Sequence, residues 1–224
     1  MEAAGNAPLV ADAVRVAYGD EIAVREATFT VQASEIVAIM GPSGSGKSST
    51  LRACAALIPI CEGRLVVCGH EPSLLGERAR SRLRLRHVGL VFQFPDLLPE
   101  LSLLDNVALP LELLGEGRRD SLARARGWLA RVGLKGTAID RAAAKVSGGQ
   151  AQRAAVARAL VTEPGLLLAD EPTGSLDSAN GRVIMDLIEE TRARGTAVLI
   201  VTHDRSVAGR ADRILTMKDG VLTA

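Results

Sequence analysis

A glycine-rich stretch at residues 41–49, GPSGSGKSS, carries the residue types that hold a triphosphate. Glycines let the backbone wrap phosphate oxygens with its N–H groups, and a following helix directs its positive end at the same charge. Lys47 is placed to neutralise the β and γ oxygens, and the Ser48 hydroxyl to ligate Mg²⁺. A glycine-rich surface loop is the alternative. The full pattern between an apolar run and a helical stretch instead predicts a nucleoside triphosphate site at Gly41, Pro42, Ser43, Gly44, Ser45, Gly46, Lys47, Ser48 and Ser49.

Two carboxylates and a histidine follow later apolar runs. Asp170 ends the run LLLAD, where it can hold magnesium through water, and the next residue, Glu171, can polarise the attacking water. His203 follows AVLIVT and suits a group that reaches the γ-phosphate. Taken alone, an acidic pair after a strand is often a solvated turn, and a lone histidine there is often structural. Beside a phosphate-binding loop, the pair favours hydrolysis.

The elements that must position these residues alternate between short apolar runs and helical stretches. Helical patterns begin near Ser48, Ala151 and Ser178. The apolar runs fit strands buried on both faces, at IVAIM (36–40), GLVFQ (89–93), LLLAD (166–170) and AVLIVT (197–202). This order predicts an α/β fold with a parallel sheet. The opening segment, VRVAYGDEIAVREATFTV, predicts a small antiparallel β layer added to that core.

Residues 94–158 differ from the rest of the chain because their patterns are helical and contain no run of β-branched residues. We therefore predict a helical subdomain at 94–158, inserted into a nucleotide-binding core formed by residues 1–93 and 159–224. The first dozen residues are rich in Ala and Gly, and we expect them to be frayed.

Composition restricts the class of protein without naming a partner. A chain of 224 residues, 47% hydrophobic, can bury a sizeable core, and its net charge of +1 provides no strong field for nucleic acid or an anionic membrane. No apolar run approaches the roughly 18 residues of a membrane span, and neither end resembles a targeting segment, so a soluble chain is expected. The three cysteines form no C-x-x-C pair, which predicts incidental thiols in a reducing compartment.

Five short stretches resemble, in order, the motifs of the ATP-binding cassette (ABC) ATPases. GPSGSGKSS is similar to the Walker A motif, VFQ to the Q-loop, VSGGQ to the signature, LLLADEPTGSLD to Walker B with the D-loop, and VTHD to the H-loop. The resemblance covers nearly the whole chain. It implies a P-loop NTPase fold with a RecA-like parallel-sheet core, a small antiparallel β subdomain and an inserted helical signature subdomain.

The resemblance also assigns roles to single residues. Tyr18 resembles the aromatic that stacks on adenine, although a packed surface tyrosine is the alternative. Gln93 matches the glutamine that senses magnesium and the attacking water, so the implied metal contacts are Ser48, Gln93 and Asp170. Glu171 resembles the catalytic base and His203 the contact to the γ-phosphate.

The second glycine pair needs a partner chain under this interpretation. A single ATP is enclosed by its own P-loop, so the signature Ser147, Gly148, Gly149 and Gln150 would face the γ-phosphate of ATP bound by another subunit. Asp177 matches the D-loop acid at the seam between the two subunits. The implied assembly is a homodimer or paired cassette in which two copies bind head to tail around two MgATP molecules.

The family implies an ATPase that drives an integral membrane permease, cytoplasmic and peripheral on the inner face of the cell membrane. The motif wording resembles the lipoprotein-releasing, macrolide-exporting and bacitracin-resistance ATPases most closely. Apolar residues after the Q-loop suggest a docking groove for a short permease helix. They are Phe94, Leu97, Leu98 and Leu101, and their alternative role is to close the core of the helical subdomain.

Two other functions compete with the transporter interpretation. A soluble ABC ATPase acting on nucleic acid or the ribosome would use the arginines of ERARSRLRLRH (77–87), but a solvated face explains them too. Such a protein also predicts tandem cassettes, a coiled-coil insertion or zinc cysteines, which this sequence lacks, so no nucleic-acid partner is expected. A purely regulatory cassette conflicts with the presence of both Glu171 and His203.

The sequence departs from the family pattern at three places. Val146 stands where leucine is commoner, Ser49 where threonine is usual, and RAAAK before the signature lacks the usual proline and acidic or glutamine residue. That last region commonly contacts the membrane subunit, so this departure bears on the identity of the permease and leaves the ATP chemistry intact.

Overall fold

A nine-stranded sheet organises the fold in a computed structural model that describes residues 7–223. The strand order across the sheet is β4-β1-β2-β9-β8-β3-β7-β6-β5. The strands are β1 (Leu9–Tyr18), β2 (Glu21–Val31), β3 (Ile36–Met40), β4 (Glu62–Val67), β5 (Val88–Val91), β6 (Leu166–Asp170), β7 (Ala197–Val201), β8 (Arg213–Lys218) and β9 (Val221–Thr223). The helices are α1 (Lys47–Cys54), α2 (Glu77–His87), α3 (Leu103–Leu113), α4 (Arg118–Arg131), α5 (Gly148–Leu160), α6 (Ser178–Ala193) and α7 (Arg205–Ala208).

The centre of the sheet is parallel, as the sequence predicts. Strands β8, β3, β7, β6 and β5 lie side by side in one direction, and four of them correspond to the four predicted apolar runs. Strand β5 ends at Val91, so Gln93 lies beyond it, although the run GLVFQ was expected to continue to residue 93. Strand β8, with alternating exposed and buried residues, was not predicted. The carboxyl ends of the parallel strands share one edge of the sheet, where ligands commonly bind.

The predicted antiparallel layer is confirmed. Strands β1 and β2 form a hairpin, and β4 pairs with the other edge of β1. The layer joins the rest of the sheet through β9: β2 pairs with β9 at Glu26 and Val221, and β9 runs antiparallel to β8. The expectation of a frayed first dozen residues is wrong from Leu9 onward, because Leu9 is fully buried and pairs with both neighbouring strands. Residues 1–6 lie outside the described part of the chain.

Helices fill the segment between β5 and β6. Within the described residues this segment has no strand, only an isolated bridge between Ser102 and Ala142. The Ser102 hydroxyl accepts a hydrogen bond from the Asp105 backbone N–H at 3.0 Å and so caps the start of α3. Helix α5 runs from Gly148 to Leu160 and therefore crosses the predicted subdomain boundary at 158. The division of the chain into core and subdomain stays a prediction.

Two apolar clusters fix the strands in place, one on each face of the sheet. Alternate side chains of a strand point to opposite faces. In β3, Ile36 joins the cluster that contains α3 to α6, whereas Val37 and Ile39 join the cluster under β1, β2 and α1. All three are fully buried. This two-sided packing holds the carboxyl ends of β3, β6 and β7 rigidly beside one another.

Candidate nucleotide site

The glycine-rich loop connects β3 to α1, as the sequence predicts. Gly46 occupies the position before the first helical residue with φ of 104°, a left-handed conformation that favours glycine. Lys47 begins the helix, and its ammonium folds back to donate to the carbonyl oxygens of Gly41 at 2.9 Å and Pro42 at 2.8 Å. The loop therefore presents its backbone N–H groups and one buried cation at the edge of the sheet.

Two glycines of this loop are also required by packing. A Cβ on Gly46 would lie far inside van der Waals contact with the carbonyl oxygen of Ala23 in β2. A Cβ on Gly41 would collide in the same way with the carbonyl oxygen of Met217 in β8. Gly220 adds a backbone hydrogen bond to the oxygen of Ser45 at 3.1 Å. The shape of the loop is thus set by strands from both ends of the described chain.

A cavity of about 940 Å³ opens over the loop. Its volume lies at the upper end of the range for ligand pockets, about 300–1,000 Å³. Residues predicted for the site contribute most of the lining: Tyr18, Gly41, Pro42, Ser43, Gly44, Gly46, Lys47, Ser48, Ser49, Gln93, Asp170, Glu171 and His203. Ser45 lies beneath the loop, and its buried hydroxyl has no hydrogen-bond partner among residues 7–223. The glycine cradle, the ammonium and this unpaired hydroxyl suit a polyphosphate.

Asp170 lies at the base of the cavity, at the end of β6. It is almost fully buried, and this burial raises the pKa of its carboxyl. A hydrogen bond with Ser48 opposes the shift, while the neighbouring charge of Glu171 adds to it. A buried carboxylate beside a hydroxyl, on the floor of a phosphate-sized cavity, is a donor set for a hard divalent cation. The residues present fit magnesium.

Glu171 is held in a strained conformation by three hydrogen bonds. Its φ is 47°, in the left-handed region that non-glycine residues seldom adopt. Its carboxylate accepts from Thr202 Oγ1 at 2.9 Å, from the backbone N–H of His203 at 2.9 Å and from His203 Nδ1 at 2.6 Å. Since Thr202 and Glu171 are buried and the His203 ring is exposed, the carboxylate is fixed from behind and reached from the solvent side.

Gln93 and Tyr18 lie at the rim of the same cavity. Gln93 is exposed, two residues beyond the end of β5. Tyr18 is 45% exposed at the end of β1, and its hydroxyl approaches Ser49 Oγ at 3.4 Å. An exposed ring at the mouth of a cavity is available for stacking, which a tyrosine packed into the surface would not be.

The signature residues do not line this cavity. Ser147 is the N-cap of α5: its hydroxyl accepts from the Gln150 backbone N–H at 3.3 Å, and Gln150 Oε1 accepts from the Ser147 backbone N–H at 3.1 Å. Ser147 and Gly148 are exposed. Asp177 likewise lies outside the cavity, as the N-cap of α6, where backbone and side-chain hydrogen bonds from Asn180 lower the pKa of its carboxyl. Within the described chain, these predicted residues form a separate surface.

Several lining residues were missed by sequence reasoning. Arg52 lies in the cavity wall, and its charge opposes the rise that burial causes in the pKa of Asp170. The signal was available, because Arg52 follows Ser48 by four residues on α1 and thus shares its face. Arg25 and Asp219 also line the cavity. They come from β2 and the β8–β9 turn, and only tertiary pairing brings them there.

The arginine run in α2 divides into two stripes. Arg80 and Arg84 form ion pairs with Glu77, and Arg84 also donates to the carbonyl oxygen of Ala56 at 2.7 Å. The exposed stripe consists of Arg78, Arg82 and Arg86, spaced four residues apart. Because Glu77 neutralises Arg80 and Arg84, these two arginines fit the alternative of a solvated helix face.

Among residues 7–223, no helix is both long enough and apolar enough to span a membrane.

The sequence is similar to those of known ATP-binding transport proteins. A sequence model described as "ABC transporter" matches residues 24–174. The chain is 45% identical to the lipoprotein-releasing system ATP-binding protein LolD 2 of Caulobacter vibrioides, covering 91% of this chain and 90% of the relative. It is 42% identical to the macrolide export ATP-binding/permease protein MacB of Rhodopseudomonas palustris, covering 91% of this chain but only 31% of that longer protein.

Solved structures of an ATP-binding cassette superpose closely on this chain. The ATP-binding cassette MJ0796, described as a dimer in a post-hydrolysis state bound to ADP and Pi, superposes with a TM-score of 0.89 at 35% identity and 95% coverage of each chain. Another structure of that cassette, also dimeric, gives a TM-score of 0.90 at 36% identity, again with 95% of each chain covered.

Proposed function

The chain belongs to the ABC transporter family, and from this premise we propose that it is the ATP-hydrolysing subunit of a transporter that handles lipoproteins, lipids or exported small molecules. One observation carries the proposal: a single cavity combines the P-loop with Asp170, Glu171, Gln93 and His203, while the signature surface lies outside it. The first set suits the chemistry of one ATP. The second set remains free to act on a nucleotide held by another subunit.

Ser48, Gln93 and Asp170 are the residues that would hold magnesium. A bound Mg²⁺ would supply positive charge that offsets the negative charge of the phosphates. The Asp170 carboxyl, which lies beside Ser48, would orient the cation through water. Lys47 contributes a second positive charge, and its ammonium would exchange the carbonyl oxygens of Gly41 and Pro42 for phosphate oxygens. Tyr18 stacks on the adenine at the rim.

Glu171 is the proton acceptor for the attacking water. Its Oε1 accepts two hydrogen bonds from His203 and has no lone pair left, while its Oε2 accepts one from the buried Thr202. The His203 ring is exposed and can turn away from Oε1 toward the γ-phosphate. That movement frees one lone pair for the water proton while Thr202 keeps the carboxylate in place. His203 thereby couples contact with the phosphate to release of the base.

Two subunits pair head to tail so that the signature of one closes over the ATP of the other. Ser147 and Gly149 supply the hydroxyl and the helix start that face the γ-phosphate, while Asp177 lies at the seam. Hydrolysis removes the charge that bridges the subunits, and the dimer opens. Binding to a membrane permease then places the protein on the inner face of the cell membrane, and residues 94–158 move as a helical unit.

Mixed dimers test the composite site. One dimer combines Glu171→Gln in one subunit with Ser147→Arg in the other; the matched control carries both changes in one subunit beside a wild-type partner. In the proposed arrangement the first dimer keeps one intact site and about half of the wild-type turnover, whereas the control keeps none. The opposite result would show that each subunit works alone.

The permease contact is proposed at Phe94 and Leu98, which are 77% and 45% exposed. Leu97, predicted to share this role, instead packs against the core beside α3 and α5. Exposed apolar residues in a loop are suited to receive a short amphipathic helix. Phe94→Asp should abolish the stimulation of ATPase activity by the permease. Leu74→Asp, at an equally exposed leucine, serves as the control and should leave the stimulation unchanged.

A further inference from the structure

Helix α5 connects the segment that carries Gln93 to the segment that carries Glu171. The connection is made by Gln152, whose side chain is fully buried. Its Nε2 donates to the carbonyl oxygen of Phe92 at 3.1 Å and to that of Pro172 at 3.4 Å. Phe92 directly precedes Gln93, and Pro172 directly follows Glu171. One amide group therefore bridges the two segments just beyond the ends of the paired strands β5 and β6.

The oxygen of the Gln152 amide argues against a role in stability alone. Oε1 of Gln152 is buried and has no hydrogen-bond partner among residues 7–223. A buried acceptor without a partner costs about as much as one or two ordinary hydrogen bonds contribute. The two bonds of Nε2 are therefore largely offset by the orphaned oxygen. What the side chain does add is a fixed geometry.

The same helix also holds the far side of the Gln93 segment. Arg158 donates to the carbonyl oxygen of Asp96 at 2.8 Å and to that of Pro95 at 3.3 Å. Gln152 and Arg158 thus bracket the exposed residues Gln93 and Phe94. Of these two side chains, Gln152 is the one that also reaches the segment after Glu171.

We propose that Gln152 is a positioning residue for ATP hydrolysis, which sets Gln93 relative to Glu171 and transmits movement of the α5 start to both. The inference rests on the proposed ATPase function and deepens it. At the start of the same helix, a Cβ on Gly149 would lie 3.4 Å from Leu176 and 3.7 Å from the backbone oxygen of Ser175, so this helix start lies close to the loop that follows Pro172. A nucleotide that displaces the start of α5 therefore moves the Gln93 and Glu171 segments together.

Gln152→Met provides the test, because methionine keeps the length and volume of glutamine but cannot donate to either carbonyl. We expect kcat to fall by about ten- to a hundredfold, the usual cost of misplacing reacting groups by about an ångström. KM for ATP should stay within about twofold of wild type, since the P-loop and Tyr18 are untouched. Turnover is measured on the full chain with its permease and normalised to titrated nucleotide sites, so loss of folded protein does not imitate slow chemistry.

Two further variants separate positioning from general damage. Thr191→Val removes another buried side-chain bond, from Thr191 Oγ1 to the carbonyl oxygen of Leu187 at 2.8 Å, and should leave both kcat and KM unchanged. The double variant Gln152→Met with Gln93→Ala should be no slower than Gln93→Ala alone, because Gln152 acts through the position of Gln93.

Wild-type kcat in Gln152→Met, or effects that multiply in the double variant, would overturn the inference. Gln152→Asn gives an independent check: its shorter amide cannot reach both carbonyls, so it must also be slow. Failure of the proposed function looks different, because then the wild-type complex itself would hydrolyse no ATP, or would hydrolyse it equally fast after Lys47→Ala.

Discussion

Replacing Glu171 by glutamine separates the stability of the site from its chemistry. Glutamine can keep its oxygen at the position of Oε1, where it still accepts both bonds from His203. Its NH₂ group then faces Thr202 Oγ1, which can accept a hydrogen bond because its own proton is free to rotate. All three contacts survive, but none of them involves a charge any longer.

The expected loss of stability is small. Hydrogen bonds to a charged group contribute about 1 kcal/mol more than neutral ones. The bond from the exposed His203 ring is weakened by solvent, so only those from Thr202 and the His203 backbone count fully. Their sum is about 2 kcal/mol, which lowers Tm by about 4–8 °C in a chain of this size. Glu171→Ala leaves the Thr202 hydroxyl and the His203 backbone N–H without an acceptor, which should lower the free energy of unfolding by about 2–6 kcal/mol.

The expected loss of turnover is much larger and equal in both variants. Removing a general base costs about 10²–10⁴-fold in kcat. Thermal denaturation measures the stability of each variant, equilibrium titration measures its affinity for ATP, and steady-state phosphate release measures its turnover. Glu171→Gln should also accumulate as an ATP-dependent dimer in gel filtration. If the glutamine variant folds, binds ATP and turns over within tenfold of wild type, Glu171 is not the proton acceptor.

Three further outcomes follow from the site and its surroundings. Gly46→Ala should abolish nucleotide binding in a titration and lower the free energy of unfolding by about 3 kcal/mol or more, because its Cβ meets a β2 carbonyl oxygen at a left-handed φ. Asp170→Asn should raise the Tm of nucleotide-free protein at pH 7 and remove magnesium-dependent turnover; burial raises the pKa of Asp170, so ionisation above that pKa destabilises the fold, and the gain should vanish in acid. A thiol reagent at pH 8 should label Cys61 alone in the native protein, because Cys61 is exposed whereas burial raises the pKa of Cys54 to about 12 and that of Cys68 to about 11.

The strands and the P-loop could be predicted from the sequence because their signals are local. A short apolar run such as IVAIM determines a buried strand, and glycines with a lysine determine the loop that follows it. The role of Gln152 could not be predicted, since its two partners lie about sixty and twenty residues away in the chain. The exposure of Leu97 and Leu98 was equally hidden: both follow the same turn, and only packing against the helical cluster distinguishes them.

The glycines of the P-loop close against backbone from β2, β8 and the β8–β9 turn, so the loop obtains its shape from residues made early and late in synthesis. A nascent chain that has completed α1 and even β7 still lacks the surface on which Gly41 and Ser45 rest. We therefore expect tight ATP binding only after β8 and the β8–β9 turn have joined the sheet, and a chain truncated before Arg213 should bind ATP weakly.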